Sequence, residues 1–316
     1  MSPDFLARYI GCVAAGLWLA LVQPREADAQ PLAYIANYLS GDVSVIDTAT
    51  NTIVGSPIPV GVGPTAIAFA ADGLRAYVTN LNSKFISVID TTTNTASPVT
   101  FTLKSFGIAI TPDSTRAFVS NNASGRISVL DLATSMVEAQ SIAVDSHPAE
   151  IAMAADGSTA YVSNFGSSTV SVVDVGTNTV VKSIGIGLRP RGIAITPDGT
   201  RVYVANNTSH GTVSVISTDT YMAIGVIPVG SLPVGIAITP DGSKVYATCY
   251  RSGTVSVIDV VTNAVTGSPI TVDSGPSGIA ITPDGAFAYA LYSVFVFSNS
   301  GRDSTYRRRC GRKKWV

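Results

Sequence analysis

Charge is scarce in this chain: Asp, Glu, Lys and Arg together make up 13% of its 316 residues. Glutamate is nearly missing, with only Glu138 and Glu150 beyond the first 29 residues. Histidine is limited to His147 and His210, and cysteine to Cys12, Cys249 and Cys310. These shortages thin the field of chemistries. No CxxC spacing marks a zinc or redox site, and so few cysteines do not make a disulfide framework. Export would permit a Cys249–Cys310 bridge; the sequence leaves open whether they pair. There is no Gly-x-Ser-x-Gly elbow, no His-Glu-x-x-His and no phosphate loop. No apolar run reaches the ~20 residues that a spanning helix needs. No catalytic set, metal centre or cofactor is expected from this inventory.

Thr, Ser, Val, Gly and Asn are abundant instead, a mix that disfavours helix and favours strands and turns. Residues 1–29 stand apart. Arg8 precedes an apolar run of 14 residues, Tyr9 to Val22, and Ala27-Asp28-Ala29 offers small residues for cleavage. That order reads as a secretory signal peptide cut before Gln30, with an uncleaved anchor as the alternative. Export to the periplasm, the cell surface or the medium follows as an expectation, with no stable membrane span after cleavage. Charge is also segregated. Residues 30–301 hold 11 basic against 17 acidic side chains, a net of −6, and 302–316 hold seven basic residues against Asp303, a net of +6. The basic stretch lacks interleaved aromatics, so nucleic acid is not expected as a partner.

The body is a repeat. Tyr34-Ile35-Ala36-Asn37, Tyr77-Val78-Thr79-Asn80, Phe118-Val119-Ser120-Asn121, Tyr161-Val162-Ser163-Asn164 and Tyr203-Val204-Ala205-Asn206 recur 41 to 43 residues apart, and Tyr246–Cys249 continues the series. A Val-Ser-Val-Ile-Asp strand follows, as at 43–47 and 255–259, then a Thr-x-Thr-Asn turn, then a strand ending in Val-Gly. Each unit closes on Gly-Ile-Ala-Ile-Thr-Pro-Asp-Gly, intact at 192–199, 235–242 and 278–285. Four strands at a period near 42 are the signature of propeller blades, because a single sheet apolar on both faces is buried only between two others. A β-solenoid would have shorter coils. Taken together, the Tyr-Val-x-Asn strand, the Val-Ser-Val-Ile-Asp-Thr-x-Thr-Asn segment and Gly-Ile-Ala-Ile-Thr-Pro-Asp-Gly resemble the YVTN family of β-propeller repeats over residues 31–285. The resemblance implies an exported seven-bladed propeller on a bacterial or archaeal surface, with lactonases and quinoprotein dehydrogenases among its relatives in fold.

The fold expected is therefore all-β: a β-propeller of four-stranded blades over 30–298, of seven-bladed type with its last blade degenerate or truncated. Inner strands are expected to begin near Ala66, Gly107, Glu150, Gly192 and Gly235, with another at 277–282. Three outer strands at 33–60 could pair with that last inner strand to close six blades instead. Residues 286–298 read as further strand, and 299–316 as a basic, disordered tail, either natural or the remnant of a truncated or frame-shifted blade.

Strand order puts the loops after Tyr-Val-x-Asn and the inter-blade Val-Gly-x-x-Pro segments at one end of the ring. The other end holds near-uniform turns, so departures from the repeat at the first end mark where a site is written. Glu150 stands where other units have Gly or Ala, and Arg191 and Arg189 precede Gly192 in the next unit. They could hold an anionic group by charge-assisted hydrogen bonds, or Glu150 and Arg191 could simply pair across the interface. His147, His210, Tyr250 and Arg251 fall on the same end, the two histidines too far apart for a shared metal. Aspartates such as Asp47, Asp90, Asp174, Asp198, Asp241 and Asp284 are expected to fix turns, as is the recurring Asn. Two functions are compatible with this: a scaffold binding a protein, peptide or glycan through the loop end, or a lactonase-like or quinoprotein-dehydrogenase-like enzyme at the channel mouth.

Overall fold

Strand residues are paired across seven sheets in a computed structural model that describes residues 18–22, 32–101, 103–295 and 306–314. Blade one comprises β1 (Trp18–Val22), β2 (Leu32–Asn37), β3 (Asp42–Asp47) and an outer strand in two pieces, β4 (Thr52–Ile53) and β5 (Ile58–Pro59). Blade two comprises β6 (Pro64–Phe69), β7 (Arg75–Asn80), β8 (Phe85–Asp90) and β9 (Thr95–Thr100). Blade three has β10 (Ile108–Ile110), β11 (Arg116–Asn121), β12 (Arg126–Asp131), β13 (Met136–Val137) and β14 (Ile142–Ala143). Blade four has β15 (Pro148–Met153), β16 (Thr159–Asn164), β17 (Thr169–Asp174) and β18 (Thr179–Gly185). Blade five has β19 (Pro190–Ile195), β20 (Arg201–Asn206), β21 (Thr212–Ser217) and β22 (Met222–Pro228). Blade six has β23 (Pro233–Ile238), β24 (Lys244–Cys249), β25 (Thr254–Asp259), β26 (Ala264–Val265) and β27 (Ile270–Thr271). The seventh sheet is three-stranded: β28 (Pro276–Ile281), β29 (Phe287–Phe295) and β30 (Tyr306–Lys314). All pairings are antiparallel, and no helix long and apolar enough to cross a membrane occurs among the described residues.

Six blades thus have all four strand positions filled, and the last sheet has three strands among the described residues. The expected inner strands lie where the repeat placed them. The chain's ends keep separate sheets: β2 pairs with β1, and β28 with β29. Two segments read otherwise in the sequence also pair. Trp18–Val22, inside the expected leader, is the inner strand of blade one, and Tyr306–Lys314, read as a disordered tail, runs along β29. Both occupy a strand edge whose backbone donors and acceptors would otherwise have no partner in the sheet.

Ring closure is visible in packing. Successive inner strands touch in the cycle β1, β6, β10, β15, β19, β23, β28 and back to β1. Each of the seven blade interfaces has its own apolar cluster: Tyr34, Val43 and Val78 between blades one and two, for instance, and Ala33, Ile35 and Leu291 between seven and one. Burial on both faces explains why the second and third strands read as unbroken apolar or small residues rather than alternating ones. Polar links repeat with the same period. The Tyr34 hydroxyl donates to Asn94 Oδ1 of the next blade at 3.0 Å, Tyr203 does the same to Asn263 at 2.7 Å, and Tyr289 closes the ring on Thr48 O at 3.0 Å and Asn51 at 3.2 Å. Hydroxyls of Thr79, Ser120, Ser163 and Thr248 donate to the carbonyls of Phe106, Ala149, Arg191 and Ser277, each in the following blade.

The accepting Asn belongs to a turn that needs a left-handed residue, and Asn is among the few side chains that tolerate it. Blade five puts Tyr221 there at φ 51°. Tyr221→Asn is expected to raise stability by about 1 kcal/mol, or roughly 2–4 °C in Tm, by differential scanning calorimetry; an unchanged or lower Tm contradicts the strain.

Candidate functional site

The recurring side chains are accounted for by structure. Each Asn of the Tyr-Val-x-Asn strand is buried and donates to a serine of the third strand, as in Asn121 to Ser128 at 2.9 Å and Asn164 to Ser171 at 2.9 Å. Blade six substitutes the buried thiol of Cys249, 3.6 Å from Ser256 Oγ, and burial pushes its pKa up. The turn aspartates accept local bonds: Asp198 Oδ1 from Thr196 Oγ1 at 2.5 Å and Thr200 N at 3.0 Å, Asp47 Oδ1 from Ala49 N at 2.7 Å. Those bonds hold Asp90, Asp174, Asp198 and Asp284 below the ordinary carboxylate range, and Asp241 at about 2. No group of three or more His, Cys, Asp or Glu side chains suited to a metal occurs among the described residues.

One end of the axis is different. Glu150 and Arg191 lie on β15 and β19, inner strands of adjacent blades that touch each other. Ser163 ties their backbones together: its hydroxyl receives the Glu150 amide at 3.1 Å and donates to the Arg191 carbonyl at 2.6 Å. The Arg191 guanidinium stands 5.8 Å from the ring centroid of Phe106, two blades back, and feels the Tyr250 hydroxyl, one blade on. Side chains from blades three to six meet only near the axis of a ring, so this is where the four converge. Arg191 is only 5% exposed, Phe106 is buried, and Glu150 is half-buried with its Oε1 enclosed and without a hydrogen-bond partner among the described residues.

Burial disfavours both charges. Glu150 is pushed up to about 8, Arg191 drawing it back only in part. Arg191 is pulled down to about 10, against the pull of Glu150 and Tyr250. Near neutral pH the cluster therefore holds a cation beside a largely protonated carboxyl, with the cation against an aromatic face.

The remaining candidates spread along the same end without joining the cluster. His147 precedes Pro148 at the entry to blade four, its Nδ1 2.7 Å from Ser146 Oγ; His210 is exposed in the β20–β21 loop of blade five, 3.4 Å from Ser209 Oγ. Arg189 is partly exposed two residues before Arg191, and Arg251 is exposed beside Tyr250. His147, Arg189 and Leu232 share a property: each takes a left-handed φ, 54°, 57° and 52°, where Gly63 and Gly275 serve blades two and seven. Their carbonyls receive the amides of Phe165, Asn207 and Tyr250, which locks entry loop to second loop within each blade. Phe106 and Ser163 escaped the sequence reading. Phe106 was detectable from the missing Val-Gly-x-x-Pro at 101–106, whereas Ser163 looks like any other repeat hydroxyl.

Fold and site together define a seven-bladed propeller with uniform turns at one end and irregular chemistry at the other. The profile of the family described as "Lactonase, 7-bladed beta-propeller" matches residues 50–222. The chain belongs to that family. Among solved structures it is similar to Kuenenia stuttgartiensis hydrazine synthase, at 22% identity and a TM-score of 0.75, over 88% of this chain and 92% of that one. This second likeness is one of fold. No curated protein matches.

Proposed function

We propose that the protein is a binding scaffold that holds a protein, peptide or glycan on the loop end of blades four to six. The observation that carries this is the run of three non-glycine residues, His147, Arg189 and Leu232, kept in a left-handed conformation in consecutive blades. A side chain there costs of order 1 kcal/mol or more relative to glycine, and glycine does the same backbone task in blades two and seven. Strain retained three times over, beside His210, Tyr250 and Arg251, is what a surface selected for its side chains would keep. The test replaces all three by glycine, with purified protein probed on a glycan array and a random-peptide display library. Ligands found for the parent are expected to lose at least tenfold in affinity while the variant's Tm holds or rises as the strain is relieved. Ligands that bind the variant equally well would sink the reading.

The second reading is a lactone hydrolase centred on the axis, favoured by family membership and by the Glu150–Arg191 cluster. Deprotonated Glu150 would take a proton from a water attacking the lactone carbonyl, and Arg191 would stabilise the oxygen that gains charge. Its signature is turnover of a δ-lactone that rises through the Glu150 titration and vanishes in Glu150→Gln.

A further inference from the structure

A second irregularity lies on the same end, in blades that the reading above does not use. Between blades two and three a cavity of about 500 Å³ opens among the β7–β8 loop, the connection into blade three and the β11–β12 loop. Its lining includes Lys84, Lys104, Leu81, Leu103 and Ala123, and no acidic side chain. The size suits a small molecule. The placement is unusual on charge grounds. Residues 30–301 have a net charge of −6 and hold only four lysines, yet two of them face this one cavity. Both side chains are exposed, and Leu103 is 37% exposed despite its apolar surface. The cavity coincides with the inter-blade connection in which Ser105 stands where the connections at 61–64, 145–148, 187–190, 230–233 and 273–276 have proline, with Leu103 and Lys104 just before it, so both the space and a lysine come from the same departure.

We infer that this cleft binds a small amphiphilic anion, its head between the Lys84 and Lys104 ammonium groups and its apolar body against Leu81, Leu103 and Ala123. Ammonium is a point charge that accepts carboxylate, sulfonate or phosphate alike, so the class is set by one negative head on an apolar body. In a body of the same sign as the ligand, the two lysines supply the local attraction, which falls with ionic strength.

The experiment titrates the full chain with 8-anilinonaphthalene-1-sulfonate and, in parallel, with the uncharged N-phenyl-1-naphthylamine. One saturable sulfonate site is expected, weakening from 50 to 500 mM NaCl and by about tenfold or more in Lys84→Gln/Lys104→Gln. Both lysines are exposed, so the double variant should keep its Tm, which is measured alongside. Displacement by decanoate or by decyl phosphate, but not by decanol, supports the site and identifies its preferred head. The inference is overturned if no saturable site exists, if the double variant binds the sulfonate like the parent, or if the neutral probe binds equally well. Its outcome is independent of the triple glycine test on blades four to six.

Discussion

Gly192→Ala is expected to lower stability by about 3 kcal/mol, far beyond what one methyl group costs at an open site. A Cβ at this position would lie 2.3 Å from the Val234 carbonyl oxygen and 3.0 Å from the Ile236 amide nitrogen, both backbone atoms of the next blade. Neither can rotate away, so an inner strand must move, and every inner strand is wedged between two others. Gly107 faces Ala149 O at 2.3 Å and Gly235 faces Ser277 O at 2.5 Å in the same way. These close approaches explain Gly107, Gly192 and Gly235 better than any turn requirement would. Gly185→Ala is the control: nothing stands within 4 Å of a Cβ there, and a change within ~0.5 kcal/mol is expected. Thermal unfolding of the two variants should differ by roughly 6–12 °C. Equal melting temperatures would mean that the inner ring is looser than described.

Glu150→Gln is expected to change the pH dependence of stability more than stability itself at acid pH. The Glu150 carboxyl is raised to about 8 in the folded protein, against an unfolded value near 4.5. Between those values the folded state keeps a proton that the unfolded chain has released. Stability therefore falls as pH rises through that window, by up to ~1.4 kcal/mol per unit. Glutamine has no such proton to lose. The variant should draw ahead of the parent progressively, by on the order of 2–4 kcal/mol near pH 8, with urea midpoints at pH 5, 6, 7 and 8 as the readout. Asp90, Asp174, Asp198, Asp241 and Asp284 are held below the ordinary carboxylate range and are common to both proteins, so they cancel in the comparison. Parallel profiles would place Glu150 in solvent.

Much of this was legible in the sequence because the repeat states each structural demand several times. Tyr-Val-x-Asn, Val-Ser-Val-Ile-Asp and Thr-Pro-Asp-Gly each map onto one strand or turn in the blades that carry them, and the inner strand beginning at Glu150 or Gly192 is placed by counting. The ends were harder. Trp18–Val22 reads as part of a leader because its neighbours are apolar, and only pairing with β2 distinguishes it as an inner strand. Tyr306–Lys314 has the charge of a tail, and its place beside β29 depends on an edge that local pattern does not reveal. At the site, Glu150 and Arg191 stood out as breaks in a uniform column, and strand order alone made them neighbours. Their burial was not legible, since exposure depends on how closely the inner strands approach. Nor was the contact of Phe106 with Arg191, which spans two blades and 85 residues of sequence. Contacts across a ring axis leave no periodic trace.

The buried, electrostatically coupled cluster at one end of the axis has a direct reporter in the carboxyl resonance of Glu150. The chain has only three glutamates, Glu26, Glu138 and Glu150, so ¹³C labelling of glutamate gives few signals, and the one absent in Glu150→Gln is assigned by subtraction. That resonance is expected to titrate near 8, and to shift higher still in Arg191→Met, where the neighbouring cation is gone. A Glu150 signal that titrates near 4.5 and ignores the Arg191 substitution would contradict the cluster and the lactone-hydrolase reading built on it.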